Sequence, residues 1–300
     1  KMKSFEYAAP RTVDEAVEQL AEQWGETEVL AGGTDLVTCL KQGLTAPKRV
    51  VSLKAVKDLK GISSTKGALT IGAMTTMGEL AGNAGVQKHF PSLATAVKNI
   101  ASPQLLSTGT VGGDLCQRPR CWYYRNGYGL LAQQDGKSLV TAGDNRYHAI
   151  FGNAGKAKFV SASSLGPPLI ALGATIKTSA REIAADNFFQ TPKSENERET
   201  VLNPNEIITA ISVPLSGAEN ATYEIRHRQG LDWPYVTASV AKTNGGTKVV
   251  LGHVAPTPWI VAGNDAAQGA KPLSGNGYKV KMVKTAVKRA LAAASNGASN

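Results

Sequence analysis

The 300-residue sequence has three cysteines, Cys39, Cys116 and Cys121, an odd number with no repeated framework. That excludes a disulfide scaffold and fits a reducing compartment. Cys116 and Cys121 are not a C-x2-C pair, which leaves zinc or dithiol chemistry without ligand spacing and makes buried thiols the expectation. No apolar run approaches the roughly 18 residues a membrane-spanning helix needs. The first residues, Lys1 to Tyr7, lack the apolar region of a secretory signal, so a cytoplasmic protein is expected. Neither G-x-G-x-x-G nor G-x-x-x-x-G-K-[ST] occurs, which removes the Rossmann and P-loop fingerprints. Acidic residues are outnumbered 23 to 33 by Lys and Arg, giving a formal charge of +10. The basic residues are scattered, however, and no nucleic-acid-binding signature accompanies them, so nucleic acid is not the expected partner. His148 and His227 sit apart from any nucleophile pattern and read as structural histidines.

Glycine is abundant, and two stretches concentrate it. Glu28–Ala31 is a short apolar strand that runs into Gly32-Gly33-Thr34-Asp35, with a helix expected from Leu36. Strand, Gly-Gly turn and helix start can present free N–H groups to a phosphate. Gly109-Thr110-Val111-Gly112-Gly113-Asp114 is a second small-residue loop in which backbone N–H groups can converge on an anion. Arg118, Arg120 and Arg125 follow it, interleaved with Trp122-Tyr123-Tyr124. The arginines are open between phosphate groups, a partner and solvent. The aromatics are open between ring stacking and packing beneath a long polar stretch, Tyr128–Arg146, that reads as a surface insertion.

Along the rest of the chain, Thr12 and Glu15 suggest a capping box, and Ala68–Ala73 closes a hairpin across Ser63–Gly67. Ser164 is a candidate cap for a helix over Pro167–Leu172. Thr191–Asn205 is polar and Pro- and Asn-containing, and marks the expected domain boundary. Beyond it, Glu206–Pro214, Thr222–Arg228, Val236–Thr243 and Thr247–Val254 read as strands. Val280, Val283, Ala286, Val287, Ala290 and Leu291 form the apolar face of a C-terminal helix.

The ordered set Leu30–Asp35, Ile71–Thr76 and Gly109–Asp114, followed by Leu202-Asn203-Pro204-Asn205-Glu206-Ile207-Ile208, resembles the FAD-binding medium subunit of the molybdenum hydroxylases. That family includes xanthine dehydrogenases and carbon monoxide dehydrogenases. Cys116–Arg125 and Asn145–Gly152 are similar to the branch of the periplasmic aldehyde oxidoreductases. The resemblance implies an α+β fold. A PCMH-type FAD-binding domain would occupy residues 1–190, as two small α/β subdomains of about 1–58 and 59–190. A C-terminal domain of antiparallel sheet plus helix would occupy 191–300.

The same resemblance implies non-covalent FAD, with its diphosphate between the loop Leu30, Ala31, Gly32, Gly33, Thr34, Asp35, Leu36 and the loop Thr110, Val111, Gly112, Gly113, Asp114. Ile100 and Ala101 match the adenine and ribose side, and Ile207 and Ile208 the isoalloxazine side. Ser164 stands where relatives carry a ribityl-contacting aspartate. Glu224 stands where they often carry a lysine, whose charge Arg226 or Arg228 could replace. The implied role is electron transfer from [2Fe–2S] clusters on a small partner subunit to NAD or another acceptor. The molybdenum cofactor would sit on a large partner subunit, export would depend on a signal-bearing partner, and no metal would bind this chain. Some relatives hold a [4Fe–4S] cluster in the insertion, which needs four cysteines. The insertion here has none, so no cluster is expected.

Overall fold

The computed structural model describes residues 2–296 except 66, 101, 229 and 231. Three sheets define the architecture. The first is parallel, with Arg49–Ser52 between Glu6–Ala8 and Thr27–Leu30. Its strands are linked by helices Val13–Glu18 and Leu36–Gln42, as parallel neighbours require. Thr12 caps the first of these by accepting from Glu15 N, while the Glu15 carboxylate accepts from Arg11 N rather than from Thr12. Ala16, Val51, Leu53, Val56 and Leu59 form this body's core, and Ile207 joins it from far along the chain.

The second sheet is antiparallel, in the order Ile62–Thr65, Ala68–Gly72, Ile208–Pro214, Thr175–Thr178, Glu182–Ala184. Helices Met77–Gly82, Pro91–Lys98 and Gly166–Ala171 share its apolar cluster, and the latter two also pack against strands of the third sheet. Together they enclose the largest apolar cluster, including Ile71, Leu80, Leu93, Leu165, Phe188 and Ile211. Thr76 starts the first of these helices with a reciprocal capping box to Glu79.

This sheet corrects the expected boundary at residue 191. Ile208–Pro214 is the central strand of the second sheet, in register with Ala68–Gly72 on one side and Thr175–Thr178 on the other. The physical unit that begins near residue 62 therefore runs to about 214, and the C-terminal sheet starts at Glu219. The polar stretch 191–205 is a strap rather than a linker. Gln190 N donates to Glu199 O, and Phe189 and Thr200 form a bridge.

The third sheet pairs Glu219–Ile225, Val236–Thr243, Gly246–Gly252 and Trp259–Ile260. Lys279–Asn296 lies across it, with Val283, Ala286 and Ala290 fully buried at helical spacing. Ile150 and Phe151 complete this core from the middle of the chain.

The stretch expected to be a surface insertion is folded. Leu139–Ala142 is helical, Gln133–Gln134 pairs with Lys137–Ser138, and helix Trp122–Arg125 lies just ahead in the chain. Tyr124, Leu130, Leu131, Ala157 and Phe159 give it a small core of its own. The Glu195 carboxylate accepts from Leu130 N (2.6 Å) and Leu131 N (2.9 Å), tying the insertion to the polar strap.

Candidate functional site

A cavity of about 510 Å³ opens where these bodies meet, and both glycine loops line it. That volume lies within the range of cofactor pockets. The first loop leaves the parallel sheet at Leu30 and enters helix Leu36–Gln42. Gly32 is required there by contact: a Cβ would fall 2.0 Å from the Thr108 carbonyl oxygen. Gly33 has φ +81°, the left-handed region that glycine tolerates. The backbone N–H groups of Gly32, Gly33, Thr34, Asp35 and Leu36 donate to no partner among the described residues. They are five successive donors on a cavity wall.

The second loop is built differently. Val111 N donates to Thr75 O, Gly112 N to Ala73 O, Gly113 N to Thr110 Oγ1 and Asp114 N to Thr110 O. Its N–H groups from 111 to 114 are therefore spent inside the fold. This corrects the expectation that both loops offer their amides: the second contributes shape, the Thr110 hydroxyl hydrogen and the Thr110 N–H. Gly112 packs tightly because a Cβ would stand 3.1 Å from Ala73.

The two loop aspartates border the cavity, and their carboxylates hold the loops in place. Asp35 accepts from Arg118 N (2.8 Å), Arg125 (2.9 Å) and Arg120 (3.0 Å). Asp114 accepts from Ser163 Oγ (2.6 Å), Leu165 N (2.9 Å), Ser164 N (3.2 Å) and Gln117 Nε2 (2.9 Å). Burial pushes the Asp114 carboxyl up, and the hydrogen bonds from Ser163, Leu165 and Ser164 pull against that. Leu165, not Ser164, is the N-cap of the following helix, Gly166 N donates to Ser163 Oγ (2.9 Å), and Ser164 lies on the cavity wall.

Of the residues expected at the site, Ala31, Gly32, Gly33, Thr34, Asp35 and Leu36 line the cavity. Ile100, Thr110, Gly112, Gly113, Asp114, Ser164, Ile207 and Ile208 do so as well. Leu30 and Val111 do not. Leu30 ends a strand of the parallel sheet, and Val111 is buried in the main core at 1% exposure. Ala101 lies outside the described residues.

The charges on the wall are balanced in pairs. Arg118 meets Glu199 (3.1 Å), Arg120 meets Asp35 (3.0 Å), Arg198 meets Glu28 (3.7 Å) and Arg226 meets Glu224 (2.5 Å). Glu224 is the buried member of its pair and also accepts from Asn99 Nδ2 (2.9 Å). Burial raises its pKa, and Arg226 offsets part of that. Of the two candidate replacement cations, Arg226 lines the cavity, whereas Arg228 is exposed and pairs at 3.8 Å with Asp232 among the described residues.

The remaining singled-out groups divide clearly. Cys39 is buried and receives a hydrogen bond from Arg125. Cys116, expected buried, is exposed on the cavity wall, because the helix Val111–Cys116 turns its last residue outward. Cys121 is half-buried with its sulfur 3.2 Å from His148 Nε2. Desolvation holds His148 down at about 4, and its ring packs edge-on against Trp122 away from the cavity. Among the described residues no group of three or more His, Cys, Asp or Glu side chains is placed to hold a metal ion. Nor is any helix among them long and apolar enough to cross a membrane. Sequence reasoning missed Trp24, Asn99, Arg198 and Trp233 as wall residues, since each reaches the cavity only through long-range packing.

Residues 3–216 match the model of the FAD binding domain in molybdopterin dehydrogenase. Over 98% of its length the chain is 27% identical to the FAD-binding subunit of an Escherichia coli aldehyde oxidoreductase, of which it covers 99%. It is 28% identical over 97% of its length to the carbon monoxide dehydrogenase medium chain of Hydrogenophaga pseudoflava, covering 96% of that protein. A solved structure of carbon monoxide dehydrogenase from that organism superposes with a TM-score of 0.74 at 25% identity, covering 99% of both chains. Family match, loop geometry and three-body architecture agree: the chain belongs to the family of the FAD-binding domain of molybdopterin dehydrogenases.

Proposed function

We propose that this chain is the FAD-carrying electron-transfer subunit of a molybdenum-dependent oxidoreductase complex. The observation that carries the reading is the run of five unpartnered backbone N–H groups, Gly32 to Leu36, on the wall of one deep cavity. A diphosphate accepts several hydrogen bonds and carries negative charge, so this donor set suits it. Each arginine on the wall has an acidic partner, Arg120 sharing Asp35 with Arg125, so the backbone donors are the groups left free to meet the anion.

Bound FAD supplies a carrier that takes up and gives up electrons singly or in pairs. The chain's own residues do the rest. The first loop grips the diphosphate, and the hydroxyls of Thr34 and Thr110 add donors. Ile207 and Ile208, buried at 3% and 5% exposure, offer an apolar wall that keeps water from a planar ring. Arg226 lines the cavity in its ion pair with Glu224, and its guanidinium would offer hydrogen-bond donors to a bound ring. Electrons would arrive from [2Fe–2S] clusters on a small partner subunit after substrate oxidation at a molybdenum subunit, and leave to NAD or another acceptor.

Co-expression with the two partner subunits tests the reading. Anaerobic substrate addition should bleach the flavin absorbance of the purified complex. A complex that oxidises substrate while this chain carries no flavin would overturn it.

A further inference from the structure

Arg120 is held from three sides. One guanidinium nitrogen is 3.0 Å from Asp35, another donates to Gln117 Oε1 at 2.8 Å, and its plane lies 4.8 Å from the centroid of the Trp233 ring. Its Nε is buried without a partner. Trp233 belongs to the C-terminal body, in the stretch that joins strands Glu219–Ile225 and Val236–Thr243. Its ring is 44% exposed, and both it and Arg120 line the cavity. On its own side Trp233 leans toward His253, with ring centroids 6.3 Å apart. The contact with Arg120 therefore joins the C-terminal body to the first glycine loop across the cavity.

Asp35 does not need Arg120. Without it, the carboxylate still accepts from Arg125 and from Arg118 N. Asp35 immediately follows the donors Gly32–Thr34 and is held on the loop side, so Arg120 is a bridge with one end anchored beside the diphosphate cradle. The other end rests on an exposed aromatic face, an attraction strongest where water is excluded. Filling the cavity dries this contact from one side.

We propose that Arg120 and Trp233 form a latch across the cavity that retains the bound dinucleotide. The contact must open for the cofactor to enter or leave, so breaking it speeds release. The proposal rests on the FAD reading above, and both residues are positioning residues.

The test is the rate of FAD release from the full-length chain, followed as free-flavin fluorescence after dilution. Trp233→Ala and Arg120→Gln should each release FAD about tenfold faster, the size expected for one partly desolvated cation–π contact. Trp233→Phe keeps a ring face and should stay within about threefold of the parent. The double variant Arg120→Gln/Trp233→Ala should be no faster than the faster single variant, because both changes remove one shared contact. Melting of the FAD-free Trp233→Ala chain should match the parent, which separates the latch from general loosening. Release from Trp233→Ala within about twofold of the parent overturns the latch, as does Trp233→Phe as fast as Trp233→Ala or fully additive effects. A parent chain that binds no FAD overturns the functional reading itself, whereas unchanged release from a flavin-loaded variant overturns the latch alone.

Discussion

Replacing Gly32 with alanine probes the cradle at its tightest point. The added Cβ would sit 2.0 Å from Thr108 O, 2.9 Å from Thr108 C and 3.3 Å from Gly109 Cα. All three are backbone atoms of the segment entering the second loop, so no side chain can swing aside. Relief to an ordinary contact needs a retreat of about 1.4 Å by one loop. A hydrogen bond of about 2.9 Å lengthened by that amount ceases to be one. Losing two such bonds to a charged diphosphate, at roughly 1.5–3 kcal/mol each, costs about 3–6 kcal/mol of binding. FAD affinity should then fall by about two to four orders of magnitude. The folded chain itself should lose only about 1–3 kcal/mol, the usual cost of overpacking. Titration of the FAD-free variant, followed by flavin fluorescence and checked by circular dichroism, measures both. Affinity within about threefold of the parent, in a folded variant, would refute the claim that loop spacing sets diphosphate binding.

Further outcomes follow from the buried charges. Arg226→Met should destabilise the chain by about 3–5 kcal/mol by stranding buried Glu224, and Glu224→Leu/Arg226→Met should recover most of it in urea unfolding. His148 and His253 are held down at about 4 and about 3 by burial, below the ordinary 6.5. Between those values and 6.5 the unfolded chain binds protons that the folded chain does not, so stability falls with falling pH. At two protons the slope approaches about 2.7 kcal/mol per pH unit, and His148→Phe should halve it in melts across pH 4–6.5. Lys279 is lowered to about 7 by desolvation, so its contribution runs higher up the scale: stability rises with pH from about 7 toward 10.5, where the unfolded lysine also loses its proton. Lys279→Met should flatten that rise in urea titrations, and an unchanged slope would show that Lys279 stays charged in its site.

The sequence carries the glycine loops plainly, because the glycines are themselves the signal, although only Gly33 is demanded locally, by its φ of +81°, while Gly32 and Gly112 answer to Thr108 and Ala73. Thr12 and the apolar face Val283, Ala286, Ala290 are legible because capping and helical period act within a few residues. Alternation made Ile208–Pro214 a strand, but nothing local says which sheet it joins, and its neighbours lie over 30 or 130 residues away. The insertion's core was hidden because Leu130, Leu131, Ala157 and Phe159 share no period. Composition also could not show that Glu224 faces Arg226 and Asn99 rather than a ligand, or that the second loop spends its amides on Thr75, Ala73 and Thr110. Those are pairings between segments, fixed only when the bodies assemble.

Five free N–H groups on the first loop would hold a dinucleotide through its diphosphate. Parallel titration of the flavin-free chain with FAD and with riboflavin tests it most directly. The account predicts one FAD per chain, held at least about a hundredfold more tightly than riboflavin, which has the ring but no phosphate. Equal affinity for the two, or no binding of FAD, would contradict it.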